Sequence, residues 1–179
     1  MLKEVKIKWR NLIFKTMQLY KNFVIKLTRF ISYYKLKLAR LPASPHAIAS
    51  GFACGSMVSF TPLLGLHFLL AIVFAYIIRG NYVAALLGTI VGNPITFPFI
   101  WGLIYKVGAF VTSTKQKELN HEINFDMIIT QTYEIFLPML LGGAILAIPV
   151  WLTTYLLTHS FVSSYKKSKL KKNKNLKGN

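Results

Sequence analysis

Residues 46–78 read HAIASGFACGSMVSFTPLLGLHFLLAIVFAYII, and residues 82–112 read YVAALLGTIVGNPITFPFIWGLIYKVGAFVT. Neither block contains Asp or Glu, and both are too long for one plain membrane crossing. At about 1.5 Å per helical residue the first would reach roughly 50 Å, against a hydrocarbon core of about 30 Å. The two blocks are punctuated alike. Gly51-x-x-x-Gly55-Ser56 is followed by a break at Pro62-Leu63-Leu64-Gly65, and Gly88-x-x-x-Gly92-Asn93 is followed by Pro94 and Pro98. The offset is constant, since 88 − 51, 92 − 55 and 93 − 56 all equal 37. Paired, interrupted apolar segments mark a discontinuous-helix membrane unit, and such units can hold a small solute between their breaks. The expected fold class is all-α: a multi-pass helical membrane protein with broken or re-entrant helices and an amphipathic helix at its amino terminus.

Charge sets the expected orientation. The chain has 179 residues, 54% of them apolar, and a formal net charge of +17. Residues 1–45 hold eleven Lys/Arg against Glu4, and residues 160–179 hold seven Lys and no acid, so the two ends account for +10 and +7. In between, Arg79, Lys106, Lys115 and Lys117 balance Glu118, Glu122, Asp126 and Glu134. Basic flanks stay on the cytoplasmic side, which places both termini inside a bacterial cytoplasmic membrane and requires an even number of crossings. Four is the simplest count. On that path the first block crosses twice, breaking near Pro62, Arg79-Gly80-Asn81 turns on the cytoplasmic side, and the second block crosses once with an irregular middle. A re-entrant hairpin in place of the first two crossings fits the sequence equally well.

The expected organisation is a basic amphipathic helix at 1–41, a core of two interrupted apolar units at 45–113, a polar extracytoplasmic loop at 114–136, a last transmembrane helix at 137–159 and a disordered, Lys-rich cytoplasmic tail at 160–179. In the first segment Trp9, Leu12, Phe23, Leu27, Phe30, Ile31, Tyr34, Leu38 and Leu41 recur at three- and four-residue steps, which predicts one helical face. Lys and Arg every few residues forbid a span. Such a helix can lie in the interface against anionic headgroups, or rest its apolar face on the protein's own cytoplasmic side. Pro42 and Pro45 end it, and Ser44 can cap the next helix. No cleavable leader is expected, because the first long apolar run starts only after Pro45. Positive-inside topology already explains the basic tail, so nucleic acid is disfavoured as a partner. The expected partners are the bilayer, its anionic headgroups and further copies of the chain.

The absence of carboxylates from both blocks excludes the usual carboxylate proton relay, carboxylate metal site or aspartyl protease within the membrane. Cys54 stands alone in an apolar segment, so no intramolecular disulfide or thiolate metal site is expected, and no cofactor motif is present. Ser56 and Ser59 with His67 lack a strained nucleophile motif, and no catalytic set emerges. The polar residues left in the blocks, Ser56, Ser59, Thr61, His67, Thr89, Asn93 and Thr96, gather at the breaks, where freed backbone groups need partners. The candidate solute site is therefore Pro62, Gly65, His67, Asn93, Pro94 and Thr96. Against it stands a plainer reading of the last three as a self-satisfied helix break, and of His67 as a hydrogen-bonded core histidine. Gly51, Gly55, Gly88 and Gly92 are read as helix-packing positions, because a small residue every fourth position lets backbones approach.

Ala49-x-Gly51-Phe52-Ala53-x-Gly55, Pro62-x-x-Gly65-x-His67, Ala75, Arg79-x-Asn81, Gly88-Thr89, Asn93-Pro94-x-Thr96 and Tyr105-x-x-Gly108 together resemble the bacterial membrane family called domain of unknown function 2062. The resemblance covers about residues 45–111. It implies small multi-pass inner-membrane proteins, some joined to glycosyltransferase-like domains, with no established activity. In the family the position of His67 is often a glutamine, so no shared proton chemistry is implied there. Two functional expectations follow: a small transport or channel-like component with its polar site at the breaks, or a non-transporting scaffold for envelope or lipid-linked glycan assembly.

Overall fold

A computed structural model describes residues 2–63, 65–112 and 125–177, and every element among them is helical. The chain divides into two compact units, Met1–Arg40 and Leu41–Asn179. The first is a single helix, α1 (Leu2–Ala39), 38 residues free of Gly and Pro and about 57 Å long at helical rise. Apolar and aromatic side chains along it, among them Phe14, Met17, Tyr20, Phe30 and Ile31, are exposed. Lys37 lies over the ring of Tyr33, 5.8 Å from its centroid.

The second unit begins with α2 (Pro45–Val58), 14 residues long. Ser44 caps it through a 3.1 Å bond from the Ala47 amide, and Pro45 occupies the first turn, where its missing N–H costs nothing. Its small residues, Ala49, Gly51, Ala53, Cys54, Gly55 and Ser56, are buried. Ser50, Ser56 and Ser59 turn their hydroxyls onto the carbonyls four residues back. The helix stops before Pro62; Gly65, with φ +87, lies in the turn that leads to α3 (His67–Ile77). That helix ends in a Schellman motif: the Gly80 amide bonds to the Ala75 carbonyl and the Arg79 amide to that of Tyr76, with Arg79 at φ 51 in the position glycine usually fills. The glycine is instead one residue later, because a Cβ on Gly80 would sit 2.8 Å from the Gly51 nitrogen.

The Asn81 amide donates to the Ala47 carbonyl at 2.7 Å, so the exit of α3 lies beside the first turn of α2. The two helices form an antiparallel hairpin whose tip is the Pro62–Gly65 turn. Asn81 then caps α4 (Tyr82–Gly88), accepting from the Ala84 amide at 2.9 Å, and α4 tightens into a 3₁₀ turn at Thr89–Val91. This second short helix runs parallel to α2. Going up both helices, Gly51 faces Asn81, Gly55 faces Ala85, Gly88 and Thr89, and Ser59 faces Gly92.

After a non-helical stretch at 92–96 the chain resumes as α5 (Phe97–Thr112) and ends in α6 (Phe125–Lys177), 53 residues with Pro138 and Pro149 inside it. Against α6, α2 runs antiparallel, with His46 bonded to Tyr155 and Gly143 on the Phe60 carbonyl. Further along, α5 also runs antiparallel to it, with Gly142 on Ile104 and Gly108 on Pro138. The two therefore take successive stretches of α6, meeting near Gly142 and Gly143, where Ile100, Ile104 and Met139 form a small core with Phe60 and Leu146.

Two sequence expectations change here. Within 114–136, expected as a polar loop, the described backbone is helical from Phe125 onward, and residues 114–124 lie outside the described residues. Within 160–179, expected as a disordered tail, the helix runs on to Lys177. Lysine propagates a helix well, no Gly or Pro interrupts the run before Gly178, and a turn added to an existing helix avoids the cost of nucleation. By length and composition Tyr133–Lys171 can cross a membrane, whereas α3, α4 with its 3₁₀ turn, and α5 are apolar but shorter.

Candidate functional site

The two breaks meet. A Cβ on Gly92 would lie 2.9 Å from the Ser59 hydroxyl and 3.2 Å from the Phe97 ring, so the end of α2 touches the second break directly. The Ser59 hydroxyl reaches the Thr89 carbonyl as well, at 3.4 Å. From the hairpin tip, His67 packs on Phe97 with ring centroids 5.7 Å apart, and Phe97 packs in turn on Trp101, one turn further along α5, at 5.8 Å. His67, Phe97 and Trp101 thus form one aromatic row across the junction.

The six candidate residues divide sharply. Asn93 and Thr96 close on each other: the Asn93 side-chain oxygen accepts from the amides of Ile95 and Thr96 at 2.9 and 3.1 Å, and its amide group donates to the Ile90 carbonyl at 3.2 Å. The Thr96 hydroxyl accepts from the Asn93 amide at 3.0 Å and donates to the Val91 carbonyl at 2.6 Å. Such local side-chain-to-backbone bonding makes a self-contained turn and leaves little for a solute. Pro94 and Gly65 are exposed and Pro62 is half-buried, all three serving as chain-turning residues. His67 differs from the rest. Its side chain is 7% exposed, and its buried Nε2 has no hydrogen-bond partner.

Trp101 shares that condition, since its Nε1 is also buried without a partner. An unsatisfied buried polar group costs about 1–3 kcal/mol, so two in one aromatic row call for an explanation. The indole N–H can only donate, whereas the imidazole Nε2 can donate or accept according to tautomer. Lys106, the only charged residue on α5, is exposed. Sequence reasoning reached His67 but not Phe97 or Trp101. The available signal was their four-residue spacing behind the Pro94 break, which puts both on one face of the helix.

The four packing glycines sit at three different contacts. Gly51 rests on Asn81 backbone, while Gly55 and Gly88 lie at one contact between α2 and α4, where an added Cβ would overlap the Ala85 and Phe52 carbonyls respectively. Gly92 belongs to the junction itself. A second small-residue contact, unforeseen in sequence, joins α5 to α6 through Gly108 and Gly142.

At the other end of the hairpin, His46 Nδ1 meets the Tyr155 hydroxyl at 2.8 Å, and Tyr155 is stacked between Trp151 and His159 at centroid distances of 5.1 and 5.7 Å. About two turns beyond His159, Lys166 Nζ donates to the Leu41 carbonyl at 3.0 Å and to that of Ala43, pinning the segment that precedes α2 to α6. This is an aromatic belt followed by a basic anchor.

No curated protein and no solved structure matches the chain. A family model described as "Uncharacterized protein conserved in bacteria (DUF2062)" matches residues 28–171, a longer stretch than the motifs of the two apolar blocks alone cover. With α2 to α5 and most of α6 inside that match, the chain belongs to this bacterial family.

Proposed function

We propose that this chain is a multi-pass protein of a bacterial cytoplasmic membrane and a small transport or channel-like component, with its polar contact where the hairpin tip meets the second break. On this reading α6 crosses fully, α4 and α5 together form one discontinuous crossing, and α2–α3 is a half-depth hairpin entering from the cytoplasmic side. Helix lengths support it. The 14 and 11 residues of α2 and α3 reach only about 21 and 17 Å, short of a core of about 30 Å. From Glu134 to the Tyr155 belt, α6 rises about 32 Å, which matches that core. Apolar side chains turned outward on α3, α5 and α6, such as Phe68, Leu69, Phe99, Phe110, Ile148 and Leu157, suit a lipid surround. Both ends of the unit then lie on the cytoplasmic side, where the Lys-rich end of α6 and the basic helix α1 meet anionic headgroups.

The observation that carries the transport reading is the depth of the junction. Gly143, which packs on the hairpin tip, is 12 residues from Tyr155 along α6, or about 18 Å, near the middle of the bilayer. Interrupted helices meeting at mid-depth around a polar group are how many membrane transporters build a site. Flux of a solute panel through liposomes holding the full chain, compared with empty vesicles and with His67→Ala, tests this. Equal flux in all three sinks it.

A second reading is a non-transporting scaffold for envelope or lipid-linked glycan assembly, alone or as a homo-oligomer. It draws on the self-satisfied Asn93–Thr96 turn and on α1, a long helix exposing both apolar and basic side chains. Crosslinking and pull-down separate the two, since a stable stoichiometric partner together with an inert His67→Ala variant favours the scaffold.

A further inference from the structure

We propose that the row His67, Phe97 and Trp101 is a contact site for a small neutral solute that accepts hydrogen bonds, such as water, urea or glycerol, and that it passes such solutes while rejecting ions. The inference rests on the transport reading and names its substrate class. Two buried polar atoms, His67 Nε2 and Trp101 Nε1, stand without partners on the two rings that contact Phe97, where the end of α2 meets the interruption between α4 and α5. The indole N–H demands an acceptor, and the imidazole nitrogen can supply or take a second bond. An oxygen-bearing solute beside the row supplies the acceptor that the indole needs, and a second group of that solute, or the next solute in file, can bond the imidazole. The faces of the three rings supply contact area without a fixed carboxylate or ammonium charge.

Ions are excluded by what surrounds the row. Residues 46–112 contain no Asp or Glu, and Arg79 and Lys106, their only Lys or Arg, are exposed. The carboxamide of Asn93 and the hydroxyls of Ser59, Thr61, Thr89 and Thr96 are committed to backbone groups nearby. A cation at mid-depth would have no carboxylate and no ring of free carbonyl-like side chains to replace its water. An anion would meet only one indole N–H and one imidazole. A neutral molecule gives up far less hydration on entry.

The test uses the full chain in liposomes, with glycerol and urea entry followed by stopped-flow light scattering and potassium and chloride flux followed by ion-sensitive dyes. Expected is neutral-solute entry well above empty vesicles, ion flux equal to them, and a fall of about tenfold in solute entry for His67→Leu and for Trp101→Phe. His67→Gln should retain entry, because a carboxamide keeps both a donor and an acceptor. Trp101→Phe preserves most of the ring packing, so its effect reads the lost N–H rather than a collapsed core. Ion flux without solute entry overturns this assignment and leaves the transport reading standing. Neutral-solute entry that both variants leave unchanged also overturns it. Absence of any flux overturns both.

Discussion

At single residues, two glycines meet opposite surroundings. Gly55 is enclosed, and a methyl there would overlap the Ala85 carbonyl and crowd the Thr89 amide, both of them backbone atoms that cannot swing aside. Gly102 on α5 faces open space. Gly55→Ala should therefore lose about 1–3 kcal/mol through forced separation of α2 and α4, while Gly102→Ala should gain up to about 1 kcal/mol of helix propensity. Thermal unfolding in detergent checks this, with Tm falling for the first and level or rising for the second. Asn93 belongs here too. Its side chain caps two amides and one carbonyl, so Asn93→Ala should cost about 1–2 kcal/mol of stability while leaving the ratio of neutral-solute to ion flux unchanged. A changed ratio with intact Tm would return Asn93 to the solute site. Its place beside Pro94 and Thr96 was legible in sequence; whether its bonds were spent locally was not, because a capping and a ligand-binding Asn are the same residue.

Among the elements, α6 departs furthest from what composition suggests. Lysine-rich segments read as disordered because they bury nothing, yet this one continues a helix already formed, and Lys166 ties its start to the carbonyls of Leu41 and Ala43. Ending the chain after Lys167 removes ten helical residues, 168–177, and keeps that anchor. Circular dichroism should then show a loss of helical signal equivalent to about ten residues per molecule. An unchanged signal would mean that those residues are not helical in solution. The stripe Trp151, Tyr155 and His159 was readable at four-residue spacing, but its partner His46, 109 positions earlier, was not. Period reveals a face and never what the face meets.

For the whole molecule, the proposed topology turns on how deep the α2–α3 hairpin reaches. In a four-crossing layout its tip would emerge on the outer face. As a half-depth hairpin it ends near the bilayer centre, beside the second break. Single cysteines at Leu66 and Arg79, both exposed on the protein, separate the two in a Cys54→Ala background. A membrane-impermeant maleimide should label Arg79→Cys only from the cytoplasmic side and should leave Leu66→Cys unmodified from either side. Labelling of Leu66→Cys from outside intact cells would restore the full crossings; labelling of Arg79→Cys from outside would reverse the orientation.

Apolar blocks without carboxylates, small residues every fourth position and prolines act locally and need no partner, so the helical class, the family, the two breaks and the basic ends were all legible along the chain. Only the folded chain sets α2 and α4 parallel with Gly55 against Gly88, folds α3 back along α2, and brings His67 onto Phe97, which in turn packs on Trp101. Those are matters of which surfaces meet, and meeting depends on backbone approach across 30 or more residues of chain, where one carbonyl against one absent Cβ sets the distance.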